Sequence, residues 1–395
     1  MTHEKAAHVP RASVALLQDM VPHYRVPVFA RLARRLGGLT VYATRFASDI
    51  PGADCRVVRA FGLGPVVIHP TVLFAVITLK HRVWLCQGRL GLLTSGLLAL
   101  GGRALRIRVL WWTPLWRPRG TIALDRGPHG WLMALLMRAS AGVVAYGTTA
   151  RDVAIEAGID PRHVAVAYNA LDTHRLLAAE RAWIRDNGRL VAFAETNRLV
   201  SGQNILFVGQ LIPRKRLEDL LIAFKSLVGS ADAGTLSLLI IGNGPARASL
   251  QALAEGLRLG DSVRFLGAIT DVEAICPFFL LSRVVVLPGA GGLVVNQAMT
   301  HGVPVIVGGG DGTEIDAIEH GKNGLFWAGD SVESLAALIR QVLGLSPEEW
   351  VQWSARARAA VAKTANVDRM IDGIMEAIDP QGSGGSDGSR GIAST

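Results

Sequence analysis

Cysteine is scarce in this chain of 395 residues: there are three, Cys55, Cys86 and Cys276. They stand far apart, with no Cys-x-x-Cys pair and no Cys/His spacing suited to a metal. This excludes a disulfide framework and a structural zinc site. Buried, reduced thiols in a cytoplasmic protein are the expectation. Charge is sparse as well: 18% of residues are charged and 50% are hydrophobic, which excludes a disordered chain. Long unbroken apolar runs are missing. Phe61 to Leu79 is interrupted by Pro65, His69 and Pro70, Leu90 to Gly102 is short, and Trp131 to Gly147 carries Arg138. A spanning helix needs about 20 apolar residues. These segments are therefore expected as buried strands and helices, some of them lying on a membrane surface. Met1 to Arg11 is polar, and Val14 to Leu17 is too short for the core of a signal peptide. No helix-turn-helix, RNA-binding or zinc-finger signature is present, which speaks against a nucleic-acid partner.

What the chain does have is a basic excess. Lys plus Arg number 41 against 32 Asp plus Glu, a formal charge of +9 with neutral histidines. The partner this suggests is anionic: nucleic acid, anionic lipid or a phosphorylated small molecule. Trp111, Trp112 and Trp116 lie beside Arg106, Arg108, Arg117 and Arg119. That mixture suits a membrane interface or a lipid-linked diphosphate, or else a core strand followed by a basic loop.

Hydrophobic periodicity gives two halves in which strands alternate with helices. In the first, Ser13 to Leu17, Leu39 to Thr44, Arg106 to Trp112, Gly142 to Tyr146 and Val164 to Tyr168 read as strands, and Arg25 to Leu36 as a helix. Leu171 to Gly202 is charged and reads as a surface helix with a connection. The pattern then restarts with strands at Asn204 to Val208, Leu236 to Ile241, Val263 to Leu266, Arg283 to Leu287 and Val303 to Val307. Between and after them, helices are expected at Leu217 to Val228, Arg247 to Leu257, Leu293 to Thr300, Ser331 to Leu343 and Glu348 to Thr364. The fold class implied is α/β with two Rossmann-like domains. Their expected bounds are 12–180 and 204–365, joined by a connection at 181–203. A closing helix at 366–379 and a disordered Gly/Ser-rich tail at 380–395 complete the chain.

In the second half, glycine recurs at strand ends: Gly209 with Gln210, Gly242 with Asn243 and Gly244, Gly289 with Gly291 and Gly292, and Gly308 to Gly312. Strand ends at a topological switch point are where open α/β sheets bind ligands. Glycine permits close backbone approach to a diphosphate, and a helix N-terminus offers N–H groups and a positive dipole. Gly291 and Gly292 before the helix opening at Leu293 suit that task, and Lys215 supplies a compact cation for the phosphates.

Val208 to Lys215, Gly242 to Pro245 and Gly291 to Val305 resemble the retaining nucleotide-sugar glycosyltransferases of family 4. The stretch Gly292 to Ile306 is the most specific piece, and Pro22 to Pro27 resembles that family's N-terminal acceptor-side loop. The resemblance implies two Rossmann domains facing across a donor cleft, the fold called GT-B. It also implies sugar transfer from a nucleoside diphosphate-sugar to a hydroxyl, on a glycan or lipid-linked acceptor at the inner face of the membrane. No metal or cofactor is implied. The donor site would comprise Gly209, Gln210, Lys215, Gly242, Asn243, Gly291, Gly292, Leu293 and Gln297. His23 and Arg25 would stand on the acceptor side, with Lys215, His23 and Glu314 as candidates for the chemistry. His23 and Arg25 also fit ordinary loop and helix-start positions, and Glu314 an acid opening a Glu314 to His320 helix. The departures are specific. Gln210 replaces the family's Arg, and its two glutamates, with seven residues between them, are here Gly289 and Gln297. Loss of that pair leaves open a non-catalytic sugar-nucleotide or membrane scaffold, and a nucleotide-sugar epimerase is a further reading of the same fold.

Overall fold

The structure, a computed structural model, describes residues 13–63, 66–78, 81–115, 127–228, 236–309 and 312–380. The expected disordered tail lies outside the described residues, Pro380 apart. Contacts divide the chain into two units. The first runs to Leu115, continues through Ala167 and takes up the chain again at Met370; the second is Tyr168–Arg369.

The first unit is built on a seven-stranded sheet. Its order is Val164–Val166, Gly142–Ala145, Arg108–Thr113, Val83–Gln87, Val14–Leu17, Leu39–Ala43 and Ala53–Val57. All neighbours pair parallel. Parallel pairing requires crossovers, supplied here by helices α1 (Val26–Leu36), α2 (Pro70–Ile77), α3 (Leu93–Gly101), α4 (Pro128–Ala139) and α5 (Thr148–Glu156). The strand Val83–Gln87, absent from the expected set, is the central strand of this sheet, between Arg108–Thr113 and Val14–Leu17. The strand expected from Arg106 begins at Arg108, because Arg106 has φ +53°. Trp111 and Trp112 are fully buried in this strand. Of the two readings of this segment, the core strand holds and the membrane interface is corrected for these two residues: they pack the core. Trp116, Arg117 and Arg119 lie outside the described residues.

The second unit opens with α6 (Thr173–Arg185) and α7 (Asn187–Thr196), two helices where one was expected. Its six-stranded sheet runs in the order Val263–Gly267, Ser237–Ile241, Asn204–Val208, Ser282–Leu287, Val305–Val307 and Gly324–Phe326, again wholly parallel. Around it lie α8 (Leu217–Val228), α9 (Arg247–Gly256), α10 (Val272–Leu280), α11 (Leu293–Thr300), α12 (Val332–Leu343) and α13 (Pro347–Lys363). Local chemistry sets several ends. The Asp271 carboxylate accepts the N–H groups of Glu273 and Ala274 at the start of α10, and Ser346 with Glu349 forms a capping box on α13. The strands between Ile205 and Val307 carry a continuous buried aliphatic core.

This division differs from the expected bounds, and the contacts explain why. Helix α6 packs on α10 and α11, and the Trp183 indole donates to the Glu273 carbonyl at 2.8 Å, so residues 168–180 belong with the second unit. The closing helix α14 (Val367–Ile378) returns to the first unit. Arg108 donates to the carbonyls of Ile378 and Ala377 at 2.5 and 3.0 Å, and Arg35 pairs with Asp372 at 2.5 Å.

Two cysteines match the expectation and one does not: Cys86 and Cys276 are buried, whereas Cys55 is half-buried near the sheet edge. Burial pushes both inner thiols up to about 12. Iodoacetamide should therefore alkylate Cys55 alone in the native protein, and all three residues in denaturant. Mass spectrometry of the tryptic peptides reads this directly, and rapid native labelling of Cys86 would contradict the packing described.

Candidate functional site

The glycine turns of the second unit are knitted together at one edge of its sheet. Gly209 N–H donates to Ile241 O at 2.9 Å, Leu211 N–H to Asn243 O at 2.9 Å, and Gly242 N–H to Gly267 O at 2.7 Å. The approach is close enough that a Cβ at Gly242 would collide with the carbonyl of Gly209. The turn after the strand Ser282–Leu287 joins the same assembly. A Cβ at Gly289 would run into the Arg214 carbonyl and stand 2.8 Å from the Cα of Lys215. Here the missing first glutamate has a physical counterpart: the backbone of the 213–215 turn occupies the space where its side chain would begin.

That turn is a single 3-10 turn, Pro213–Lys215, followed by Arg216 in the left-handed region at φ +55°. The half-buried Lys215 ammonium donates to the carbonyl of Ala290. This contact fixes a cation against the glycine turn that leads into α11. Arg214 is exposed. Arg216 is tied elsewhere, with Nε donating to Asp219 at 2.6 Å and its guanidinium 4.2 Å above the Trp327 ring.

Gly292 is the N-cap of α11, and its N–H donates to Glu314 Oε1 at 2.9 Å. The buried Glu314 carboxylate thus lies at the positive end of the helix. The expected Glu314 to His320 helix is corrected to one 3-10 turn, Thr313–Asp316. Asn323 is the reason: it accepts from Glu319 N–H at 2.8 Å and donates to Ala317 O at 3.0 Å, holding the following residues as a loop. Gln297 is half-buried one turn along α11 from Leu293. If its amide holds the ribose, Gln297→Ala should weaken donor binding by about 0.5–1.5 kcal/mol and Gln297→Glu should be tolerated. Isothermal titration measures this, and an unchanged affinity in the alanine variant would place the ribose elsewhere.

His23 and Arg25 belong to the first unit, in the short turn His23–Arg25 that leads into α1. His23 is exposed. Arg25 is buried, with Nη1 3.4 Å from the Met370 sulfur and its guanidinium within 6 Å of the rings of Tyr24, Trp112 and Tyr146. It is therefore not the solvated start of a helix but a cation packed among aromatic rings.

One buried network escaped the sequence. Glu180 on α6 accepts from His301 Nδ1 and from Arg358 Nη1, both at 2.8 Å. Burial raises the Glu180 carboxyl, but His301 and Arg358 outweigh it and hold it below the usual range. The signal was present, since His301 lies inside the stretch Gly292 to Ile306, but its partner is 121 residues away.

Comparison with known proteins bears on this geometry. Residues 193–360 match the family model of the glycosyl transferases group 1. Over 194 residues the chain is 30% identical to the GDP-mannose-dependent alpha-(1-6)-phosphatidylinositol monomannoside mannosyltransferase of Mycobacterium tuberculosis, a match spanning 44% of this chain. The chain spans about half the length of that relative, 49%. Among solved structures, Anabaena Alr3699/HepE in complex with UDP aligns with a TM-score of 0.69 at 16% identity, covering 93% of this chain and 100% of its own. The chain has the GT-B fold and resembles the family 4 glycosyltransferases. A second GT-B structure, WaaG, a glycosyltransferase involved in lipopolysaccharide biosynthesis, aligns with a TM-score of 0.65 at 16% identity over 93% of this chain and 99% of that one. The family match takes in Lys215, the glycine turns from Gly209 to Gly292, Gln297 and Glu314.

Proposed function

We propose that this protein is a glycosyltransferase that moves a sugar from a nucleoside diphosphate-sugar to a hydroxyl, with retention, in the assembly of a cell-surface polysaccharide or glycolipid. The observation that carries the proposal is the Lys215 ammonium held on the Ala290 carbonyl, against the glycine turn that opens α11. A fixed cation beside a helix N-terminus favours the charge that grows on a departing diphosphate. Gln297 would hydrogen-bond the ribose. With Gly289 and Gln297 in place of the family's glutamates, the donor phosphate itself would assist departure. His23 and the acceptor belong to the first-unit side of the reaction, and an anionic membrane surface would present a lipid-linked acceptor. The similar proteins differ in nucleotide: one is GDP-mannose-dependent and another is in complex with UDP.

Thermal-shift measurements with UDP-glucose, GDP-mannose and UDP-N-acetylglucosamine test the donor first. A true donor at about 100 times its Kd adds about 2.7 kcal/mol of stability. Product analysis then separates the readings. Transfer with retained anomeric configuration supports the proposal. Binding without hydrolysis or transfer would leave the non-catalytic scaffold, and isomerisation of the donor without any acceptor would identify an epimerase.

A further inference from the structure

The first unit leaves large apolar side chains in water on three adjoining helices. Helix α3 packs against both α2 and α4. On α2, Phe74 and Ile77 are 69% and 66% exposed; on α4, Trp131 is 66% exposed. Leu93, Leu97 and Leu100 on α3 are exposed at intervals of four and three residues, so they form one stripe along that helix. Leu132 and Leu135 continue the pattern on α4. A soluble surface tolerates single apolar residues, but adjoining stripes mark an interaction site.

Charge says what covers them. From Pro70 to Ala139, the span that carries the three helices, the sequence holds ten Lys or Arg residues and one acid, Asp125. The stripes also end in arginine: Arg103 follows Leu100 by three residues and Arg138 follows Leu135 by three. Arg103 and Arg138 line the same open cavity beside Ala99 and Met137. Apolar faces inserted among acyl chains, with guanidinium groups at the level of the phosphates, are the arrangement of an interfacial helix. A second copy of the chain would set like charge against like across such a face. No helix among the described residues is long and apolar enough to cross a membrane.

We infer that the outer faces of α2, α3 and α4, carrying Phe74, Ile77, Leu97 and Trp131, dock this protein onto an anionic lipid bilayer. This rests on the peripheral placement proposed above and assigns it to one surface, in place of the Trp111 and Trp112 segment that the core absorbs. The face is apolar first and basic at its ends, so docking requires insertion as well as attraction.

Vesicle flotation tests it, with phosphatidylglycerol-containing and pure phosphatidylcholine vesicles. The wild-type protein should bind the anionic vesicles preferentially, more weakly at high salt. The triple variant Phe74→Ser, Leu97→Ser, Trp131→Ser should bind them at least tenfold less while keeping its circular dichroism and its donor-induced thermal shift. Brominated acyl chains should quench tryptophan emission in the wild type and less in Trp131→Phe. Equal binding by the triple variant, or binding without quenching, would overturn the assignment of this face. A concentration-dependent dimer abolished by the triple variant would overturn it in favour of a second copy. If the wild type binds neither kind of vesicle, the peripheral placement falls with it.

Discussion

Replacing Lys215 by alanine is expected to lower kcat by about 10²–10³ with the fold intact, the usual loss when one fixed electrostatic donor to a developing anion is removed. The ammonium is held on the Ala290 carbonyl, so its position is set before the donor arrives. Gln210 is neutral where the family carries arginine, and Arg216 is engaged by Asp219 and Trp327. Little else in that turn can take over the role. Removing a charge that stabilises the departing diphosphate more than the bound donor lowers kcat and kcat/KM together, and that is the expected signature. Lys215→Arg should keep part of the activity, because a planar guanidinium cannot occupy the point held by an ammonium. The measurement is sugar transfer from the donor that thermal shift identifies, with circular dichroism as folding control. A folded Lys215→Ala enzyme of near-normal kcat would reduce this lysine to a structural tie and remove the donor-site assignment.

The second large effect concerns Gly289. Restoring the family's glutamate by Gly289→Glu should not improve the enzyme; it should destabilise the second unit and abolish donor binding. Any Cβ at this position meets the Arg214 carbonyl and the Lys215 Cα, and both are backbone atoms that cannot swing aside. Overpacking of this kind costs about 1–3 kcal/mol, and at about 2–4 °C per kcal/mol for a unit of this size the melting temperature of Gly289→Ala should fall measurably. Because the displaced segment carries Lys215, donor affinity should fall with it. Differential scanning calorimetry and titration of the alanine variant check both halves. Wild-type melting and affinity in Gly289→Ala would show that the 213–215 turn yields easily, and the explanation of the lost glutamate would fail.

Local patterns carried most of the architecture. The alternation of buried strands and amphipathic helices is visible from Asn204 to Lys363, where each expected strand of the second sheet lies within two residues of its place. The glycine turns were legible too, because close backbone approach at Gly242, Gly244 and Gly289 and a positive φ at Gly292 favour glycine. What stayed hidden depends on partners far along the chain. Val83–Gln87 is a short strand, apolar from Val83 to Cys86, and periodicity cannot separate such a run from a buried helix segment. Glu314 looked like an acid opening a helix because its partner, the Gly292 N–H, lies 22 residues earlier. Gly289 was evident as a departure, but nothing in its neighbours announced that the Arg214 carbonyl fills the vacated volume. Trp111 and Trp112 suggested an interface because they adjoin arginines in sequence, while strand alternation and full pairing on both sides bury them.

The return of α14 to the first unit has a consequence for the order of synthesis. Among the described residues the second unit is one continuous stretch, Tyr168–Arg369, and all of it has been made when Arg369 leaves the ribosome. The first unit, begun earlier, still lacks its final helix at that moment. Met370 has not reached Arg25, and the carbonyls of Ala377 and Ile378 have not reached Arg108. Contacts of such sequence separation, 345 residues for Arg25 and Met370, form late. The part of the chain translated first is therefore the part finished last, and a chain truncated before Met370 and released would present a folded second unit beside an incomplete first one.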